Sequence, residues 1–122
     1  MRISAIAGCE VSLNRYNPRR DENEPEIIEA LRKEGVFVER LSGARVPDLL
    51  CCHKGLLFLV EVKMPDGRLT KAQRDFSEDI FEHNIPAYIC TQAYSVPTLI
   101  KFAEIHYAQV DIKTLQLQPY SD

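Results

Sequence analysis

The chain has 122 residues, a formal net charge of −3, 45% hydrophobic and 27% charged residues. That is room for one ordinary domain around one core. The acidic balance argues against broad coating of nucleic acid by a basic surface, though not against local phosphate contacts or a carboxylate-rich metal site. The longest apolar run, residues 55–60, is far too short to cross a bilayer. The first ten residues lack the apolar length of a secretory signal. A cytoplasmic protein with no membrane partner is expected.

Residues 1–20 have no clear period and form an arm that carries Arg15, Arg19 and Arg20 beside Asn17-Pro18. A helix is predicted over 21–34: Ile27, Ile28 and Leu31 give one apolar stripe, Asp21 and Glu24 have capping-box spacing, and Gly35 is a stop. Pro25 is tolerable because it lies in the first turn. Residues 36–41 alternate as a strand at the edge of a sheet, and 42–46 are a loop. Strands over 49–53 and 56–63 flank Lys54-Gly55 as a hairpin, the second so apolar that it belongs at the centre of the sheet.

Pro65-Asp66-Gly67 is a turn. Thr70 opens a second helix with Gln73 completing a capping box, and Ala72, Phe76 and Ile80 repeat every four residues on its buried side. Asn84-Ile85-Pro86 ends it. A fourth strand follows over 87–91. Ser95 caps a third helix to about residue 107, carrying Leu99, Phe102, Ala103, Ile105 and His106. The tail over 110–117 alternates like one more strand. The domain therefore divides into an arm (1–20), a core (21–107) and a tail (108–122), in the order α-β-β-β-α-β-α(-β), a mixed sheet with helices against it.

The four cysteines, Cys9, Cys51, Cys52 and Cys90, contain no Cys-x-x-Cys pair and no zinc spacing. They read as small hydrophobes in a reducing compartment, with Cys51 and Cys52 on opposite faces of their strand. His53, His83 and His106 are scattered and read as surface or packing residues, as do Tyr16, Tyr94 and Tyr107.

The chemistry-bearing residues lie on the hairpin. Asp48 begins one strand and Glu61 ends its partner, and Glu61 and Lys63, two apart, share a face. The charges interrupt Leu-Leu-Phe-Leu-Val-Glu-Val-Lys, where an unpaired carboxylate costs several kcal/mol. Two carboxylates and a backbone carbonyl can hold Mg²⁺, which polarises phosphate and activates water, and Lys63 can stabilise charge building on phosphorus. The alternative is a structural Glu61–Lys63 ion pair beside an ordinary Pro47-Asp48 turn. Arg40 and Arg45, flanking the Ser42-Gly43 loop, suit phosphate contacts, as do Arg19 and Arg20.

Together, Arg19-Arg20-Asp21-Glu22-Asn23-Glu24, Val46-Pro47-Asp48-Leu49-Leu50, Leu59-Val60-Glu61-Val62-Lys63 and Gly67-Arg68-Leu69-Thr70-Lys71-Ala72-Gln73 resemble the PD-(D/E)xK nuclease superfamily. Within it the chain is similar to small phage-type VRR-NUC and Holliday-junction resolvase-like domains. The resemblance implies an α/β, restriction-endonuclease-like α-β-β-β-α-β core. It implies a Mg²⁺- or Mn²⁺-dependent endonuclease acting on DNA, branched DNA above all, as a homodimer with no small-molecule cofactor. If phage-encoded, it would work in the bacterial host cytoplasm. Asp48 and Glu61 would be metal ligands with the Val62 carbonyl as a third, and Lys63 the catalytic lysine. Glu24 would be the acid of the first helix that reaches the metal directly or through water, and Gln73 a glutamine that orients phosphate or water. Glu24 and Gln73 are open to a second reading as cap partners only, and Glu26 is the fallback acid. Ala44-Arg45 departs from relatives that often carry a glycine before Val-Pro-Asp. The dimer contact is expected on the tail 110–117 and the arm. The competing readings are a DNA-binding accessory module with little turnover and a protein-interaction domain.

Overall fold

The computed structural model describes residues 21–117, with side chains through residue 110. The arm, with Arg15, Arg19 and Arg20, and Cys9 lie outside the described residues. Helix α1 spans Glu24–Lys33 and buries the expected stripe of Ile27, Ile28 and Leu31. It closes in a Schellman motif, with the Gly35 N–H on the Arg32 carbonyl and the Val36 N–H on that of Leu31. The expected Asp21/Glu24 capping box is not formed: Asn23 is the N-cap residue and makes no side-chain cap hydrogen bond. Glu24 turns inward instead, where Arg40 Nε meets its Oε2 at 3.1 Å. The physical reason is burial. Glu24 is only 1% exposed, and a carboxylate there needs a cation more than an exposed helix end needs a cap.

Four strands follow the expected positions, with ends shortened by a residue or two: β1 Phe37–Arg40, β2 Leu49–His53, β3 Leu56–Val62 and β4 Ala87–Cys90. They line up as β1-β2-β3-β4, so β1 is an edge and β3 is internal, as its apolar run demands. The first three are antiparallel, and β4 joins β3 in parallel. The β2–β3 turn is Lys54-Gly55, with φ of 52° and 84°. This is the two-residue turn whose twist matches a hairpin.

Alternation gives the sheet two unlike faces. One presents Val38, Leu49, Cys51, Phe58, Val60, Val62 and Cys90 to Ile27 and Leu31 of α1 and to Val96, Leu99, Ile100 and Ala103 of the last helix. Each large side chain buried there stabilises the fold by roughly 1.5–3 kcal/mol. The other face carries Leu50, Leu59, Glu61 and Ile89, which meet in register. Helix α2, Lys71–Phe81, lies over that face and opens with the predicted Thr70/Gln73 capping box. It ends in a second Schellman motif at Asn84. The expected buried stripe on α2 is not found: no residue of α2 is buried, Ala72 is exposed, and Phe76 and Ile80 are half-buried. A helix lying over a face that ends in Glu61 and Lys63 cannot close down on it through apolar contact alone.

After a 3-10 turn at Ala93–Ser95, helix α3 runs Val96–Leu117 without interruption. The strand expected over 110–117 is therefore helix. No glycine or proline separates Tyr107 from Val110, Ala108 and Gln109 favour helix, and a helix continuing through them needs no sheet edge to pair with. Phe102 and Ile105, expected on the packed side, are 54% and 47% exposed. Tyr107 donates to the Leu57 carbonyl at 2.6 Å, just before β4 joins the ladder at Leu59. Among the described residues no helix is long and apolar enough to cross a membrane.

Cys51 is fully buried, and burial pushes its thiol up to about 12, whereas Cys52 is exposed. Cys51→Ser, which buries a hydroxyl without a partner, is expected to cost about 1–3 kcal/mol, and Cys52→Ser close to nothing. Urea unfolding of the two variants checks this.

Candidate active site

The hairpin register sets the site. One rung beyond the Leu49–Val60 pair, the register faces Asp48 with Glu61. Cross-strand neighbours of this kind have Cβ atoms within about 5.5 Å. Asp48 Oδ2 accepts the Val62 main-chain N–H at 2.8 Å, which pins its carboxylate to the end of β3. Glu61 is 6% exposed. Its Oε2 receives Gln73 Nε2 at 3.1 Å and lies 3.5 Å from Lys63 Nζ. Its Oε1 is buried with no hydrogen-bond partner.

These surroundings raise the Glu61 pKa from 4.5 to about 7. Burial is the largest cause, and the neighbouring Asp48 carboxylate adds to it, while Lys63 pulls the other way. A buried carboxylate whose ionisation its carboxylate neighbour suppresses, with one oxygen unpartnered, belongs to a donor set that a divalent cation fits. Among the described residues no three His, Cys, Asp or Glu side chains gather into a metal cage. A cation here would thus rest on two carboxylates, a main-chain carbonyl and water.

Gln73 does two jobs with one side chain. Its Oε1 accepts the Thr70 N–H at 2.9 Å as the capping box requires, which leaves Nε2 aimed at Glu61. The structure thus gathers Asp48, Glu61, Val62, Lys63 and Gln73. Glu24 pairs with Arg40 Nε and follows Asn23, whose amide reaches the Lys63 carbonyl. Arg45 lies with its guanidinium 5.2 Å over the Phe76 ring and 3.4 Å from Asp79 Oδ2.

Two residues at the site were not anticipated. Asn23 Nδ2 donates to the Lys63 carbonyl at 3.0 Å and to the Thr91 carbonyl at 2.9 Å, tying the start of α1 to the ends of β3 and β4. In sequence it looks like an ordinary helix-start residue. Gly67 closes the turn with its N–H on the Met64 carbonyl at 2.8 Å. A Cβ there would stand 3.3 Å from Lys63 Cβ and 3.2 Å from the Met64 carbonyl, so the glycine lets the turn press against the lysine stem.

A sheet of this order with a carboxylate pair and a lysine at one end invites comparison with known domains. The profile of the VRR-NUC domain matches residues 14–93. The chain belongs to the VRR-NUC family, within the PD-(D/E)xK nuclease-like superfamily. A solved structure titled "VRR_NUC domain" is similar in fold, with a TM-score of 0.56 at 21% identity, over 66% of this chain and 97% of its own. No curated protein matches the chain.

The Glu61 shift has a signed consequence. The folded chain holds this proton more tightly than the unfolded chain, so the stabilisation is complete below 4.5 and is lost as pH rises to about 7. Each unit is worth about 1.4 kcal/mol. In EDTA, the melting temperature is expected to fall between mildly acidic and neutral pH. Mg²⁺ or Mn²⁺ should restore it at neutral pH, and Glu61→Gln should flatten the EDTA profile. Thermal melts across pH, with and without metal, check this.

Proposed function

We propose that this domain is a divalent-metal-dependent endonuclease that hydrolyses phosphodiester bonds in DNA, with branched DNA as its preferred substrate. The observation that carries the proposal is Glu61, buried beside Asp48 with one oxygen unpartnered. A purely structural Glu61–Lys63 ion pair gives no reason to set a second carboxylate against the buried one. Membership of a nuclease-type family and the likeness to a VRR-NUC structure support the same reading.

Asp48, Glu61 and the Val62 carbonyl would hold Mg²⁺ or Mn²⁺, which polarises phosphate and lowers the pKa of water. The remaining work falls to the chain. Lys63, tethered through its carbonyl by Asn23 and through its stem by Gly67, presents an ammonium to the charge that builds on phosphorus. Gln73 fixes the Glu61 carboxylate by donating to Oε2, which keeps Oε1 turned away from that bond. Glu24 acts at one remove, because its partner Arg40 ends the strand beside the one that Asp48 introduces. Arg19 and Arg20 would contribute phosphate contacts from the arm.

Lys63→Ala is expected to lower the cleavage rate by roughly 10²–10³ while leaving DNA affinity unchanged, as loss of a transition-state contact does. A panel of linear, flapped, looped and four-way DNA with Mg²⁺ or Mn²⁺ tests both activity and substrate. Wild-type turnover by the variant at saturating DNA overturns the lysine's role, and no cleavage of any substrate by the parent chain overturns the activity.

Two cut strands call for two centres, so a homodimer belongs to the same reading. Static light scattering is expected to give twice the chain mass. A monomeric mass at high concentration, with cleavage linear in protein, would leave a nickase.

A further inference from the structure

Helix α2 carries Gln73 to Glu61, yet it buries none of its residues. Its apolar residues Phe76 and Ile80 are only half-buried, so apolar contact alone holds it weakly over the sheet. Its two ends are fixed by the chain itself, through the Thr70 cap and the Asn84 turn. At mid-helix the contact comes from across the cleft. Arg45, in the loop between β1 and β2, lays its guanidinium 5.2 Å over the Phe76 ring and reaches Asp79 Oδ2 at 3.4 Å. Gln73 and Phe76 are three apart and Asp79 is three further on, so all of them lie along one side of the helix.

We propose that Arg45 is a positioning residue: it clasps α2 through Phe76 and Asp79 and thereby holds the Gln73 amide on Glu61. This rests on the nuclease reading only for its effect on cleavage. The clasp is a planar cation stacked on a ring and directed at a carboxylate, which suits arginine and not lysine. It also assigns Arg45 a different task from direct phosphate contact. With Arg45 51% and Asp79 70% exposed, the clasp is weak enough to be removed without unfolding the domain. A small displacement of a group that orients a catalytic carboxylate still costs rate.

The two tasks predict opposite signs for Asp79→Asn. A phosphate-binding Arg45 would be released by that change, and DNA affinity would rise or stay level with cleavage intact. A clasp would be weakened, and cleavage would fall with Kd for DNA unchanged. Asp79→Asn and Arg45→Ala are expected to lower kcat roughly five- to tenfold, by misplacement rather than by lost affinity. In Gln73→Ala protein, Arg45→Ala should cost little more, because the group it positions is gone.

A second readout needs neither metal nor substrate. The Gln73 side-chain amide signal in a proton–nitrogen NMR spectrum, assigned by its loss in Gln73→Ala, should move toward that of a free glutamine in Arg45→Ala and Asp79→Asn. An unmoved signal, additive rate losses with Gln73→Ala, or a loss confined to DNA affinity overturns the clasp. If the signal moves but the parent chain cleaves no DNA, the clasp stands and the nuclease reading fails.

Discussion

Glu61 sits buried on an internal strand, with a second carboxylate across the hairpin. An isolated charge in that position is costly enough that every neighbour is arranged around it. Gln73 comes down from α2 to donate, Lys63 comes from two residues along the same strand, and Asp48 is drawn off by the Val62 amide. Even so the pair remains under-compensated, which is why the Glu61 proton is held up to about neutrality. A fold built for stability alone would place an apolar residue here. The strand before it, Leu56 to Val60, shows that the position could take one.

The two faces of the sheet divide the labour that follows from this. On one, α1 and α3 pack mainly apolar side chains, and the register of the hairpin is fixed by that face. A slip of one residue would bury Asp48, Glu61 and Lys63 in the core. On the other, the price of an open carboxylate pair is a helix attached by polar contacts: a capping box, a glutamine bond and an arginine stacked on a ring. The rigid face sets the positions of Asp48 and Glu61. The looser face supplies the groups that turn toward them.

Much of this was legible in the sequence because the signals were local. The hairpin could be read from two apolar runs flanking the Lys54-Gly55 turn, and the pairing of Asp48 with Glu61 followed from its closure. Thr70 and Gln73 formed their box because nothing else competes for Thr70. The Asp21/Glu24 box had the same spacing and failed because Arg40, far along the chain, offered Glu24 a better partner. No local pattern reports such competition. The tail misled for a different reason: a few alternating residues are weak support for a strand, and the helix before them had no breaker. Asn23 and Gly67 were invisible as site residues, since their roles lie in one side-chain amide spanning two strand ends and in a missing methyl beside Lys63.

The acidic balance of the chain then has a physical reading. Among the described residues, four cations are engaged with the chain's own carboxylates: Arg40 with Glu24, Arg45 with Asp79, Lys63 with Glu61 and Lys71 with Asp75. Their first effect is to shape the domain. Under the proposed reading, attraction for phosphate at the reacting centre comes from a divalent ion that reverses the sign of the Asp48–Glu61 pair, and not from a surplus of basic side chains. Under that reading the centre would repel a polyanion until the ion is bound, and metal occupancy would gate DNA entry as well as chemistry. It also places Lys63 to advantage. Its Nζ lies 3.5 Å from Glu61 Oε2, so under the same reading the ammonium would stand at the reacting phosphate, where charge builds.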